Sequence, residues 1–193
     1  MNKTKDEEYS DNRVNVLGVG ISPINLDIAE ELIFEAIESG EQGYIGVTGV
    51  HGVSEAQSDP KFKDILNNTF LNTPDGMPMV WYARLNGYKK VSRVYGPDLM
   101  LNICSRSTEC DVKHFFYGGR DGVAEKLKSN LKEKFPGIQV VGTYTPPFRP
   151  LTNDEEIEVR NKINDSGAHC CLLYTSDAAD EGLGVDLGGR RII

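Results

Sequence analysis

The chain lacks any apolar run approaching the roughly 20 residues needed to cross a bilayer. Its opening stretch, Met1 to Asn12, is polar and charged and has no signal-peptide core. Both absences place the expected protein in the cytoplasm. Cations are in short supply: 21 Lys and Arg against 29 Asp and Glu leave a net charge of −8. General nucleic-acid binding, which needs a cationic surface, is therefore excluded. Cysteine and histidine are sparse and unpatterned. Cys104 and Cys110 are six apart, Cys170 and Cys171 are adjacent, and His51, His114 and His169 are scattered. None of these has zinc-ligand spacing, so no metal site and no cofactor is expected, and the thiols read as buried structural groups in a reducing compartment. With 39% hydrophobic and 26% charged residues, 20 Gly and 9 Pro, collagen, coiled coil and wholesale disorder are also excluded. At 193 residues the chain can bury a core without disulfides, as one domain or two closely packed lobes.

What is present alternates between strand and helix signals. Residues 1–12 read as a frayed tail. Val14 to Val19 reads as one short strand, followed by a helix from Asn25 to Ser39 with Asn25 as N-cap and Gly40 as its stop. Gly43–Val47, Thr69–Asn72, Val112–Tyr117 and Ile138–Thr143 read as strands. Helical pieces are expected at 51–58, 60–68, 79–85, 96–107 and 123–135. A last helix is expected from Thr152, which forms a capping box with Glu155. His169 to Tyr174 could supply a further strand. The alternation predicts an α/β fold, Rossmann-like, with a mostly parallel sheet, flanking helices and an incomplete C-terminus. Such folds take ligands at the carboxyl ends of their strands. That rule would gather Gly18–Gly20, Thr48–Gly52, Thr73–Gly76 and Tyr117–Arg120 at one sheet edge.

Several stretches carry candidate chemistry, each with a plain structural alternative. Gly18-Val-Gly20-Ile-Ser-Pro23 lacks the third glycine of a dinucleotide fingerprint, and no ribose-binding acid follows the second strand. A nicotinamide oxidoreductase is disfavoured on both counts. Asp75, bracketed by Pro74 and Gly76, could serve as a general base on a substrate hydroxyl, or simply bond its own turn. Arg93 could grip a diphosphate with its planar fork, or pair with a surface carboxylate. Gly96 opens a helix whose amino end could face an anion. Tyr117-Gly118-Gly119 could admit a nucleotide or sugar to the backbone, or form an ordinary βα connection. In Thr48-Gly-Val-His51-Gly52, His51 could bond a sugar or phosphate, or cap the following helix.

In order, these stretches are Thr48–Gly52, Thr73-Pro-Asp-Gly-Met-Pro78 with Trp81, Arg93-Val-Tyr-Gly-Pro-Asp98, Phe115–Gly119 with Gly122-Val-Ala124, Phe135-Pro-Gly137 and Gly142–Arg149. The series resembles the WecG/TagA/CpsF glycosyltransferases over residues 14–168, with order and spacing carrying more weight than any single motif. The resemblance implies an inverting, metal-independent transfer of a hexose or N-acetylhexosamine from a UDP-sugar. The implied acceptor is a sugar on a polyprenyl diphosphate, at the inner face of the bacterial plasma membrane, in the synthesis of teichoic acid, exopolysaccharide or a related polymer. It makes Asp75 the base, Arg93 the diphosphate ligand and Thr48 a pocket residue. Teichoic-acid members commonly have Asn where this chain has Val50, so glucose or another hexose is as suitable a donor as N-acetylmannosamine.

The resemblance also sets an expectation for the end of the chain. The family continues past Ala168 with a Gly-Leu-Gly-x-Pro-Lys-Gln-Glu motif and a basic membrane-facing region. Here Cys170 to Glu181 instead resembles translated adapter sequence, so residues 169–193 are expected to be a non-native tail. The competing reading is a non-catalytic nucleotide- or sugar-binding α/β module. Oligomeric state is left open, with a homo-oligomer among the options.

Overall fold

A computed structural model describes residues 13–174. The expected frayed segment 1–12 and the part of the expected tail beyond Tyr174 lie outside the described residues. The chain divides into two compact units at Leu99/Met100, inside one helix.

The first unit starts with a hairpin. Strands β1 (Val14–Val16) and β2 (Val19–Ile21) pair antiparallel, with Val16 opposite Val19. The single strand expected over 14–19 is thus two, because Leu17 and Gly18 both take positive φ (53° and 86°) and reverse the chain. This is the twist a two-residue hairpin needs. Gly18–Gly20 consequently does not stand at a parallel sheet's carboxyl edge. Gly20 donates to Asn67 Oδ1 at 2.8 Å, just before the strand that Asn67 leads into. Helix α1 (Leu26–Ser39) has Asn25 as its cap, accepting from Ile28 N at 2.9 Å, and ends at left-handed Gly40. Strand β3 (Ile45–Thr48) leads through α2 (Val50–Glu55) and α3 (Pro60–Asn67) to β4 (Leu71–Pro74). Asp59 caps α3 and Pro60 occupies its first turn. β3 and β4 are parallel, with Ile45 opposite Leu71 and Thr48 opposite Pro74. Helix α4 (Met77–Leu85) follows, and α5 (Gly96–Arg106) carries the chain to the second unit. The core here gathers Val19, Ile21, Val53, Val80 and Val91 around the hairpin and α4.

The second unit is a three-stranded parallel sheet. Strand β5 (Lys113–Gly118) is central. It is joined through α6 (Val123–Lys134) to β6 (Gln139–Tyr144) on one side, and β6 is joined through α7 (Asn153–Asp165) to β7 (Cys170–Tyr174) on the other. The order β6-β5-β7 makes the chain step outward in both directions from β5. That is the topological switch at which doubly wound folds bind ligands. Helix α7 opens with the expected capping box between Thr152 and Glu155. Arg149 clamps the same Glu155 bidentately, at 2.6 and 2.7 Å, and holds its carboxyl down at about 2, chiefly through those hydrogen bonds. The fold is therefore mixed α/β and Rossmann-like, with the described strands paired in small sheets within each unit.

Of the four thiols, Cys104 and Cys170 are buried as expected, and burial first of all pushes both up to about 12. Cys110 departs from expectation: it is exposed, its Sγ lying 3.2 Å from the Arg106 carbonyl. His114 on β5 is fully buried. Ser107 donates its hydroxyl to the Ile103 carbonyl at 2.6 Å, so His114 Nε2–H must be the donor to Ser107 Oγ at 2.8 Å. That leaves Nδ1 deprotonated, buried and without a hydrogen-bond partner. Burial, and secondarily His169, lower the His114 pKa to about 4.

An unfolded chain protonates this imidazole at its ordinary pKa, before the folded one does. Stability should therefore decline as pH falls from about 6.5 to about 4, by at most about 3 kcal/mol, and this contribution should level off below that. Denaturant unfolding across this window should show the slope, and His114→Gln should remove it.

Candidate active site

The parallel pairing of β3 and β4 puts Thr48 and Asp75 side by side. Asp75, one residue past β4, donates its backbone N–H to the Thr48 carbonyl at 3.0 Å. Val94 N–H donates to the Pro74 carbonyl at 2.9 Å, which brings the 93–95 segment back to the same strand end. The helix α4 and the return after it span the gap between Asp75 and Arg93. Arg93 Nε then reaches Asp75 Oδ1 at 3.0 Å. The guanidinium also lies over the Tyr95 ring, 4.3 Å from its centre. Of the two readings of Arg93, the structure shows the ion pair with a carboxylate, and that carboxylate is Asp75. Both side chains remain open to solvent, at 46% for Arg93 and 24% for Asp75.

Thr48 is 2% exposed. Its hydroxyl donates to Asn72 Oδ1 at 2.5 Å, so it is spent inside the sheet. Asn72 was not singled out from the sequence, yet it ties three segments together. Its amide nitrogen donates to the Gly20 carbonyl at 2.8 Å, and its backbone exchanges bonds with Ser22 in both directions, at 2.8 and 3.0 Å. The available signal was an Asn inside a strand, where that residue is disfavoured unless its amide is used. Gly49 is required by close approach: a Cβ there would stand 2.9 Å from the Asp75 carbonyl oxygen.

The remaining candidates are less engaged with this group. His51 is exposed and lies inside α2, whose cap is Gly49, so it does not cap that helix. Gly96 begins α5, and Asp98 already places a carboxylate in that helix's first turn, which weighs against an anion at the same end.

Tyr117, Gly118 and Gly119 belong to the second unit and form a group of their own at the carboxyl end of β5. Gly118 and Gly119 take φ values of 120° and 74°, a path that side-chain-bearing residues rarely follow. Tyr117 stacks on Tyr144 of the neighbouring strand with ring centres 5.7 Å apart. Burial, then Tyr144, push the Tyr117 hydroxyl's pKa up. Among the described residues, no group of three or more His, Cys, Asp or Glu side chains is placed to hold a metal ion. The chemistry on offer is one carboxylate, one guanidinium and glycine-lined backbone.

Comparison with known proteins assigns the chain to a family. The model of the glycosyl transferase WecG/TagA/CpsF family matches residues 14–176. The chain belongs to that family. Its match runs through β7, beyond the 168 boundary to which the motif series extended. Among curated relatives, the N-acetylglucosaminyldiphosphoundecaprenol N-acetyl-β-D-mannosaminyltransferase of Bacillus spizizenii is 30% identical over 88 residues. Those residues are 46% of this chain and 34% of the relative. The enzyme of the same name from Bacillus subtilis strain 168 is 25% identical over 87 residues, 45% of this chain and 34% of that protein. The chain thus spans about a third of the length of the WecG/TagA/CpsF relatives it matches.

The Gly49 contact is testable without any substrate. Gly49→Ala should lower the unfolding free energy by about 1–3 kcal/mol, because the opposing atom is backbone and cannot swing aside. Val50→Ala, at a position 53% exposed, should stay within about 0.5 kcal/mol of the parent in the same melts.

Proposed function

We propose that this chain is part of a glycosyltransferase that moves a hexose or N-acetylhexosamine from a UDP-sugar to a sugar carried on a polyprenyl diphosphate. The transfer is inverting and needs no metal, and it serves the synthesis of a bacterial cell-surface polymer at the cytoplasmic face of the membrane. The observation that carries this reading is the Asp75–Arg93 pair at the joined ends of β3 and β4, within a family match covering most of the chain. The relatives' names support the acceptor class. Among the described residues no helix is long and apolar enough to cross a membrane, so any approach to a lipid acceptor by these elements is from the surface.

The residues divide the work as follows. Asp75 Oδ1 faces Arg93, and Oδ2 takes the proton of the acceptor hydroxyl. The acceptor oxygen forms the new bond to the sugar's anomeric carbon as the bond from that carbon to the UDP oxygen breaks. The electron pair leaves with UDP, and the proton stays on Asp75. Arg93 meets the diphosphate, where its fixed fork of N–H donors stabilises the charge that develops on the leaving group. Thr48 acts by position, holding the strand end through Asn72. In the second unit, the turn at Gly118–Gly119 offers bare backbone to a nucleotide or sugar. Glucose, another hexose and N-acetylmannosamine are all donors to be tried.

The test is transfer from a panel of UDP-sugars to a short-chain polyprenyl-diphosphate N-acetylglucosamine, alongside calorimetric binding of UDP. Asp75→Asn should cut transfer by about 10²–10⁴-fold while leaving UDP affinity nearly unchanged. Arg93→Ala should weaken UDP binding itself. Retained transfer in the Asp75 variant overturns the base assignment. UDP binding with no transfer from any donor, in a chain restored to the length of its relatives, favours the non-catalytic module instead.

A further inference from the structure

Of the stretch Arg93-Val-Tyr-Gly-Pro-Asp98, the site described above uses the arginine and leaves Tyr95 without a role. The place of Tyr95 follows from the backbone. Val94 N–H donates to the Pro74 carbonyl at 2.9 Å, and the Tyr95 carbonyl accepts from Leu99 N–H at 2.9 Å, in the first turn of α5. The segment is thus pinned on one side by the end of β4 and on the other by the start of α5. Between these anchors burial alternates: Val94 is fully buried, while Arg93 and Tyr95 are exposed. That is the pattern of extended chain, whose side chains two apart leave on the same side. The Tyr95 ring accordingly lies under the Arg93 guanidinium, its centre 4.3 Å from Cζ.

An arginine side chain has more rotamer entropy to lose than one exposed ion pair returns. The 3.0 Å bond from Nε to Asp75 Oδ1 therefore does not hold the guanidinium by itself. The ring adds an independent contact, the attraction of a cation for an aromatic face. The two contacts constrain different things. The ring meets the flat face of the guanidinium and sets its plane. The bond to Asp75 uses an edge and sets the rotation within that plane. Nε carries only one of the five N–H donors, and the other four sit on the terminal nitrogens.

We propose that Tyr95 is a positioning residue for this pair: its ring holds the plane of the Arg93 fork, so that Nε stays on Asp75 while the terminal nitrogens are presented to the donor's diphosphate. The diphosphate in this statement rests on the functional reading above, whereas the contact between Tyr95 and Arg93 stands on geometry alone. Tyr95 takes no proton and meets no leaving group, and it acts through Arg93. Because only the ring face is used, phenylalanine should replace it and leucine should not.

The first measurement is the Arg93 Nε–Hε cross-peak in ¹⁵N NMR spectra of the 193-residue chain, identified by its loss in Arg93→Lys. Tyr95→Leu should move that peak, because the ring current above it is gone, and should speed the exchange of Hε with water as the hold on Asp75 loosens. Tyr95→Phe should leave both close to the parent. The second measurement is calorimetric binding of UDP. Tyr95→Leu should weaken it by about two- to fivefold, and Tyr95→Phe should restore it. In an Arg93→Ala background Tyr95→Leu should cost nothing further, since no guanidinium is left to hold. Circular dichroism checks that the leucine variant folds, and Tyr95→Met takes its place if it does not.

Hε exchange that is the same in Tyr95→Leu as in the parent overturns the proposal. So does a loss of UDP affinity that persists undiminished in the Arg93→Ala background, which would put Tyr95 on the ligand itself. A parent chain that binds no UDP counts against the functional reading, and the Hε exchange then still decides the role of Tyr95. UDP binding that is lost in Arg93→Ala, with Hε exchange indifferent to Tyr95, does the reverse.

Discussion

The candidate site depends on the side chain of Asn72. Buried on β4, it accepts from Thr48 of β3 and donates to Gly20 of β2, while its backbone locks onto Ser22. A short parallel pair such as β3–β4 is weakly held by its own ladder. The amide adds bonds across the strands that leave no room for a register slip, since a one-residue shift would strand a buried amide without partners, at a cost of about 1–3 kcal/mol. Register decides the site. With Thr48 opposite Pro74, the Thr48 carbonyl receives the Asp75 N–H and the carboxylate emerges at the strand end.

Against that frame, the Asp75–Arg93 contact is soft. Both groups are substantially exposed, and exposed ion pairs are worth about 0–1 kcal/mol. Parting Arg93 from the carboxylate therefore carries little penalty. The pairing also explains why each residue alone was ambiguous in the sequence. A turn aspartate and a surface arginine are both commonplace, and only the 3.0 Å contact across α4 makes them one unit.

The local signals that proved legible were those whose physics is local. Asn25 and Gly40 bound α1, Pro60 opens α3, and Thr152 with Glu155 boxes α7, because caps satisfy backbone groups within a single turn. The hairpin was hidden because its turn uses Leu17 at positive φ, a conformation that costs a branched side chain energy and that propensity would assign to Asn or Gly. Tertiary packing overrides that preference: Val14, Val16, Val19 and Ile21 all bury their side chains once the reversal is made. The split into separate sheets was equally invisible, because strand signals say that a strand exists but not which neighbour it takes. Thr48 shows the same limit at the site. The family resemblance made it a pocket residue, and only the fold reveals that its hydroxyl donates to Asn72.

The outward apolar face of α4 follows from the same division between frame and function. A helix nine residues long needs little more than Met79, Val80 and Ala83 to seat itself on the core. Stability alone gives no reason for Met77, Trp81 and Leu85 to be apolar, and solubility gives a reason against it. Nor does stability call for residues 76–97 to be free of acids in a chain that has 29 of them. Apolar exposure and positive charge are each unfavourable or neutral for an isolated soluble domain. The frame held by Asn72 then has a second use. It fixes where α4 begins relative to the carboxylate, two residues after Asp75.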